Sequence, residues 1–127
     1  MSEEQPPPGW PSDVYRAGVL GWEQTAMRWL WQWVPPGYRR YELLHRGPAL
    51  LGQLARHEVA ASLDAARRCR AVVRTELSGV PAAEPIERVE AVFAEEERRL
   101  TALLGQVELV AAALVHAARA GGSAPGQ

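Results

Sequence analysis

The sequence predicts an all-α fold: a long antiparallel helical hairpin, with a shorter tryptophan-rich N-terminal helix packed at its open end. Three observations predict it. Apolar residues recur at alternating spacings of three and four through two long stretches of the chain. A short turn containing Gly and Pro separates these stretches, so the two helices must run antiparallel. Outside one tryptophan run, no segment alternates apolar and polar residues as a strand does.

The first predicted helix, residues 22–34, contains four of the five tryptophans of the chain. At 100° per residue, Trp22, Trp29 and Trp33 fall on one side of this helix, and a Pro-Pro pair ends it. Trp29, Trp31 and Trp33 also alternate, as they would in a strand. We favour the helix, because its period extends back to Trp22 and because a strand here would have no partner strand.

The two long helices are predicted over residues 48–78 and 85–119. A proline occupies the first position of each, and Gly79 is placed to end the former in the left-handed conformation. The seam of the first long helix is expected to consist of Leu51, Ala55, Val59, Ser62, Ala66, Cys69, Val73, Leu77 and Val80. The seam of the second is expected to consist of Ile86, Val89, Phe93, Glu96, Leu100, Leu103, Val107, Val110, Leu114 and Ala117.

Residues of the two long helices that are equally far from the turn should face each other, and this sets the register of the hairpin. Val73 then faces Phe93, and Ala66 faces Leu100, so that small residues oppose large ones. The same register brings a run of glutamates beside a run of arginines, namely Glu95, Glu96 and Glu97 beside Arg67, Arg68 and Arg70.

Part of the hairpin should protrude from the rest of the domain. At 1.5 Å per residue each long helix spans roughly 45–50 Å, whereas a globule of this chain length is about 36 Å across. From Leu100 onward the apolar seam is wide enough to need a third helix, and before Leu100 it is narrow and flanked by charge. We therefore expect the tryptophan-rich helix at the open end of the hairpin and a bare two-helix arm near residues 80–85.

Composition divides the chain into three parts. We expect a disordered tail over residues 1–11, where acidic residues precede a Pro-rich run. A single helical domain is expected over residues 12–120, and a second disordered tail, rich in Gly, over residues 121–127.

Charge and hydropathy bear on partners and location. A net charge of −1 predicts no general attraction to nucleic acid or to an anionic membrane. No signal peptide is recognisable, and the most apolar stretch, residues 103–118, is shorter than the roughly 20 residues of a membrane span. The single cysteine excludes an internal disulfide. We therefore expect a cytoplasmic protein with neither nucleic acid nor a membrane as its partner.

Six residues are candidates for contact with a ligand or partner: Trp22, Trp29, Trp31, Trp33, Tyr38 and Arg28. The tryptophans either line an aromatic pocket for a sugar, a base or a quaternary ammonium group, or fill the interface between helices. Tryptophan at helical spacing is more often core, so we favour the second interpretation. Trp31 lies at the edge of the polar face and is the one that we expect to be exposed. Tyr38 is expected to anchor the connector that follows the Pro-Pro pair.

No catalytic, metal-binding or cofactor-binding constellation is recognisable. The three histidines, His45, His57 and His116, are never four residues apart, as two zinc ligands on one helix would be. Cys69 is expected to face the helix pair as a small apolar side chain. The chain has no nucleophile–base arrangement, phosphate loop or dinucleotide fingerprint. We therefore expect no metal, no cofactor and no enzymatic activity.

The N-terminal half resembles small uncharacterised helical proteins of high-GC actinobacteria. The segments that carry this resemblance are Gly9-Trp10-Pro11, Gly21-Trp22-Glu23, Trp29-Leu30, Pro35-Pro36-Gly37-Tyr38-Arg39 and the region from Arg46 to Leu51. They lie in roughly the first 60 residues. The resemblance implies no functional residue, because those proteins have no assigned activity. All 14 basic residues are arginine, which also indicates a GC-rich bacterial genome.

These features together predict a non-enzymatic helical interaction protein, an adaptor or regulatory subunit that binds another protein through its hairpin or an apolar groove. The alternative is a small-molecule-binding helical protein with a tryptophan-lined pocket.

A homodimer is also expected. The apolar seam of the second long helix is wide from Leu100 to Ala118, a stretch longer than the tryptophan-rich helix. Val107, Ala111 and Val115 would therefore stay partly uncovered. A second copy would then complete a four-helix bundle. The connector, through Tyr38, Tyr41 and Leu44, is the other candidate to cover this surface, and it would permit a monomer.

Overall fold

The computed structural model describes residues 5–81 and 83–122, of which 73% are helical. Its elements are α1 (Trp22–Trp31), a 3₁₀ helix (Pro36–Arg40), α2 (Glu42–Arg46), α3 (Pro48–Glu76) and α4 (Ile86–Gly122). No strand occurs in the described ranges, so the prediction of an all-α fold is confirmed. The tryptophan run lies in α1 and in the turn that follows it.

The long helix pair that the sequence predicts is formed by α3 and α4. Ion pairs join these helices: Arg70 pairs with Glu97, and Arg74 pairs with Glu90 and Glu87. The helices run antiparallel, since a later residue of α3 pairs with an earlier residue of α4. In the turn between them, Gly79 has a φ of 80°, a left-handed conformation that glycine adopts without strain.

The seam of α3 departs in part from the predicted one. Its buried residues are Leu51, Gly52, Ala55, Val59, Leu63, Ala66 and Val73. Ala66 and Val73 are buried as predicted, so the departure between them and Val59 is local. Leu63 is buried in place of Ser62, and the prediction that Cys69 faces the helix pair is wrong, because Cys69 is exposed.

The core is built by side chains from α1, α3 and α4. Its largest fully buried side chains are Leu30, Leu51, Leu114, Val107 and Val110. The backbones of α3 and α4 approach at Gly52, where an added Cβ would lie 3.2 Å from the Cα of Ala111. Val107 and Ala111 are buried and Val115 is half-buried. The uncovered surface from which the homodimer was expected is thus largely covered within one chain.

The segment before α1 also packs on the core. The indole N–H of Trp10 donates to the carbonyl oxygen of Val14 at 2.9 Å, and the Trp10 ring lies 6.3 Å from that of Trp22. The backbone N–H of Tyr15 donates to the buried Oγ1 of Thr25 at 3.0 Å. These bonds tie an irregular segment to α1.

The two predicted tails are described only in part, since residues 1–4 and 123–127 lie outside the described residues. In the first tail, Trp10 is half-buried and Pro11 is buried. Trp10, which precedes the predicted boundary at residue 12, packs its indole against the core. At the other end, α4 continues to Gly122, past the predicted boundary at residue 120.

Beyond the core, α3 and α4 continue as a two-helix arm, which we define as residues 67–81 and 83–99. Val73 is the single buried residue of these two ranges. Ile86, Val89 and Phe93 are half-buried. The arm therefore has an apolar seam but little core of its own.

The apolar helix α4 is long enough to cross a membrane, as judged by length and composition alone. Ile86–Gly121 contains a window with a mean hydropathy of 1.6, although the sequence analysis expected no stretch of sufficient length. In the structure 33% of that window is buried, and Val107, Val110 and Leu114 belong to the core. Core helices of soluble proteins pass the same test, so this property does not by itself assign α4 to a membrane.

Candidate functional site

The tryptophans of α1 do not line one common pocket. Trp22 and Trp29 are 8% and 5% exposed and belong to the hydrophobic core. They pack there with side chains of α3 and α4, and their rings fill space that a ligand would need.

Trp33 is half-buried and packs edge-on against Trp29, with ring centroids 6.0 Å apart and planes at 75°. Its Nε1 is buried and has no hydrogen-bond partner among the described residues. Trp33 borders a groove of about 320 Å³ whose lining includes Pro36, Val59 and Leu100. The groove is also lined by polar side chains, among them Gln32, Glu58 and Arg99, and it runs where the end of α1 meets the hairpin.

Trp31 is the tryptophan of α1 whose ring is partly exposed to solvent and lies beside polar and charged side chains. It is half-buried and stacks on His45 of α2, with ring centroids 4.8 Å apart and planes at 28°. The guanidinium carbon of Arg39, in the 3₁₀ helix, lies 5.8 Å from the centre of the indole, which is a cation–π distance. Three consecutive helical elements therefore meet at this one ring.

The imidazole of His45 is held by a second contact. Its Nε2 lies 2.6 Å from the backbone carbonyl oxygen of Arg39. A carbonyl oxygen can only accept a hydrogen bond, so Nε2 carries the proton and donates it. The ring of His45 is thus fixed both by stacking and by a hydrogen bond.

A depression of about 240 Å³ lies at this junction and is lined by Arg28, Trp31, Arg39 and His45. We call it the Trp31 depression. Among the described residues, no carboxylate lines it. Chemically it offers two guanidinium groups, which can donate hydrogen bonds to an anion, beside an imidazole and an indole.

Two of the six candidate contact residues, Trp31 and Arg28, come together in this depression. Tyr38 does not line it; its ring lies 6.2 Å from that of Tyr41. Arg39 and His45 are not among the six residues that the sequence predicts for this role. One signal was present: between Glu23 and Glu42 the chain contains three arginines and no carboxylate.

The arm offers a second candidate surface, which is apolar. Four of its side chains are between 39% and 65% exposed: Val72, Leu77, Val80 and Val92. Ion pairs between the two helices flank this surface. Arg70 donates to both carboxylate oxygens of Glu97, and these hydrogen bonds raise the pKa of Arg70 above its ordinary value.

Comparisons with protein-family models, with curated proteins and with solved structures give no match to this chain.

Proposed function

We propose that this protein is a non-enzymatic helical interaction protein, an adaptor or regulatory subunit, whose arm binds another protein. The observation that carries the proposal is the exposure of Val72, Leu77, Val80 and Val92 on an arm in which Val73 alone is buried among the described residues.

The energetics of burial support this function. Covering one valine or leucine fully contributes roughly 1.5–3 kcal/mol, so a partner that covers Leu77, Val80 and Val92 would gain on the order of several kcal/mol. Exposed apolar side chains that cluster on one part of a soluble protein are typical of interaction surfaces. The flanking ion pairs, such as Arg74 with Glu90, would form the polar rim of such an interface.

Part of the proposal is that the tryptophan-rich α1 closes one end of the hairpin and leaves the other end free as the arm. The burial of Trp22 and Trp29 beside residues of α3 and α4 supports this arrangement. A cytoplasmic location is also part of the proposal. It is supported by Cys69, an exposed thiol that is the only cysteine and that a reducing compartment would preserve.

Small-molecule binding is a second candidate function, and the partial exposure of the Trp31 ring favours it. This function would use the Trp31 depression and would leave the arm unused.

Capture of bound proteins from cells tests the proposed arm function. The bait is the full chain, compared with a double variant, Leu77→Ser with Val80→Ser. The control is Leu20→Ser, since Leu20 is 96% exposed and lies before α1, outside the arm. We expect a partner that the wild type and the control capture and that the arm variant loses. Equal capture by all three proteins would contradict a role of the arm in binding.

A further inference from the structure

The Trp31 depression carries positive charge that the described residues do not neutralise. Arg28 and Arg39 line it, and neither guanidinium forms an ion pair with a described carboxylate. Arg70 and Arg74 of the arm, by contrast, are both paired with glutamates. Asp13 borders a neighbouring depression together with Arg28, but no ion pair joins the two in the described part of the chain.

Two of the groups that line the depression, Arg39 and His45, are already held in position. Arg39 lies over the ring of Trp31 at 5.8 Å, and His45 stacks on the ring at 4.8 Å. The hydrogen bond from His45 to the Arg39 carbonyl fixes the chain between them. A ligand at this place would therefore order fewer side chains on binding, which lowers the entropy cost.

The negative end of the α1 dipole lies nearby and would oppose an anion. Its last carbonyl oxygens, however, already accept hydrogen bonds. The carbonyl of Trp29 accepts from the N–H of Gln32, and that of Leu30 accepts from the N–H of Trp33. These local bonds reduce the opposing charge, and the two guanidinium groups are the dominant charges at the depression.

We propose that the Trp31 depression binds a phosphate group, either free or as part of a phosphate ester. Two guanidinium groups match the charge of a phosphate dianion and can each donate in pairs to its oxygens. The depression, at about 240 Å³, is smaller than the pockets of roughly 300–1,000 Å³ that hold drug-sized ligands. It therefore suits a group of the size of phosphate. This proposal goes beyond the arm function, and it gives the second candidate function a ligand class.

Titration of the ¹⁵N-labelled protein with inorganic phosphate, at constant ionic strength, tests the proposal. We expect saturable shifts of the Trp31 indole N–H and of the side-chain N–H signals of Arg28 and Arg39, with a Kd in about the millimolar range. Arg28→Gln and Arg39→Gln should each weaken binding about tenfold or more. Arg67→Gln removes the same charge from an exposed position on the arm, and this control should bind as the wild type does.

The buried indoles of Trp22 and Trp29 report in the same spectra whether each variant is folded. A response without saturation, or equal weakening by Arg67→Gln, would overturn the proposal, since either result indicates general charge attraction.

Phenyl phosphate distinguishes the two sources of the ligand. If phenyl phosphate binds more tightly than inorganic phosphate, the ligand is a phosphate ester. If phenyl phosphate binds equally or more weakly, the ligand is free phosphate. Arg28→Gln and Arg39→Gln leave the arm unchanged, so loss of phosphate binding and loss of partner binding are measured separately.

Discussion

Gly52 of α3 lies directly against Ala111 of α4: a Cβ added to Gly52 would be 3.2 Å from the Cα and 3.3 Å from the Cβ of Ala111. Both residues are buried. The absence of a side chain at Gly52 therefore lets the two long helices approach at the level where the core is fully buried.

Gly52→Ala should destabilise the protein, although the same change usually favours a helix. In a helix interior alanine is about 0.5–1 kcal/mol more favourable than glycine. At Gly52 the new methyl group meets the backbone of α4, which cannot rotate away, so we expect a net loss of about 1–2 kcal/mol. Gly105, in α4, is the matched control because an added Cβ there meets nothing within 4 Å. Gly105→Ala should stabilise by about 0.5–1 kcal/mol, and urea denaturation compares the two.

Truncation of an apolar side chain should cost much more in the core than on the arm. Leu114 is 2% exposed, and Leu114→Ala should destabilise by roughly 2–5 kcal/mol. Phe93, the only phenylalanine, is half-buried on the arm. We expect Phe93→Ala to cost about 1–2 kcal/mol, below the 3–5 kcal/mol of a fully buried phenylalanine. Chemical denaturation of both variants checks this order, and a larger loss for Phe93→Ala would mean that the arm is covered in solution.

The long helices were predictable because their signals are local. Apolar periodicity, a proline at each start and Gly79 in the turn all act over a few residues. The exact seam was harder to predict, because neighbouring residues of a helix differ in direction by only about 100°, and a seam with spacings of three and four can pass through either of them. Leu63 is buried where Ser62 was predicted, and Cys69 lies on the arm, where Val73 alone is buried among the described residues.

The candidate site was harder to predict, because its parts are joined by tertiary structure. Arg28 and Trp31 are three residues apart on one helix, and their proximity follows from the helical period. Arg39 and His45 reach Trp31 only through the path of the 3₁₀ helix and α2, which no periodic pattern specifies. The packing of Trp10 is equally hard to predict, since an irregular segment carries no periodic signal of burial.

The pair of Glu96 and Arg99 predicts a pH dependence of stability. Arg99 donates to both oxygens of Glu96, at 2.9 and 2.6 Å, and these hydrogen bonds hold the pKa of Glu96 below its ordinary value of 4.5. A carboxyl whose pKa is lower in the folded state stabilises the fold above its unfolded pKa. That contribution is lost as the pH falls through the folded pKa.

Glu96→Gln should therefore lower the thermal midpoint at neutral pH and make no difference well below pH 4.5. The effect should be small, because the pair is exposed to solvent. Glu95→Gln is the control, since its carboxylate is 80% exposed and lies 3.8 Å from Arg98. A gap between wild type and Glu96→Gln that persists in acid would mean that charge pairing is not its cause.

The burial of the core-facing side chains of α4 within one chain predicts a monomer at micromolar concentration. The homodimer was expected from uncovered side chains, but Val107 and Ala111 are 0% and 1% exposed. Light scattering should give a mass near 13.9 kDa that does not rise with concentration.

If the mass instead approaches twice this value, the arm variant Leu77→Ser with Val80→Ser locates the interface. Its dissociation into monomers would assign the arm to self-association, and its persistence as a dimer would assign the interface to α4 near the half-buried Val115.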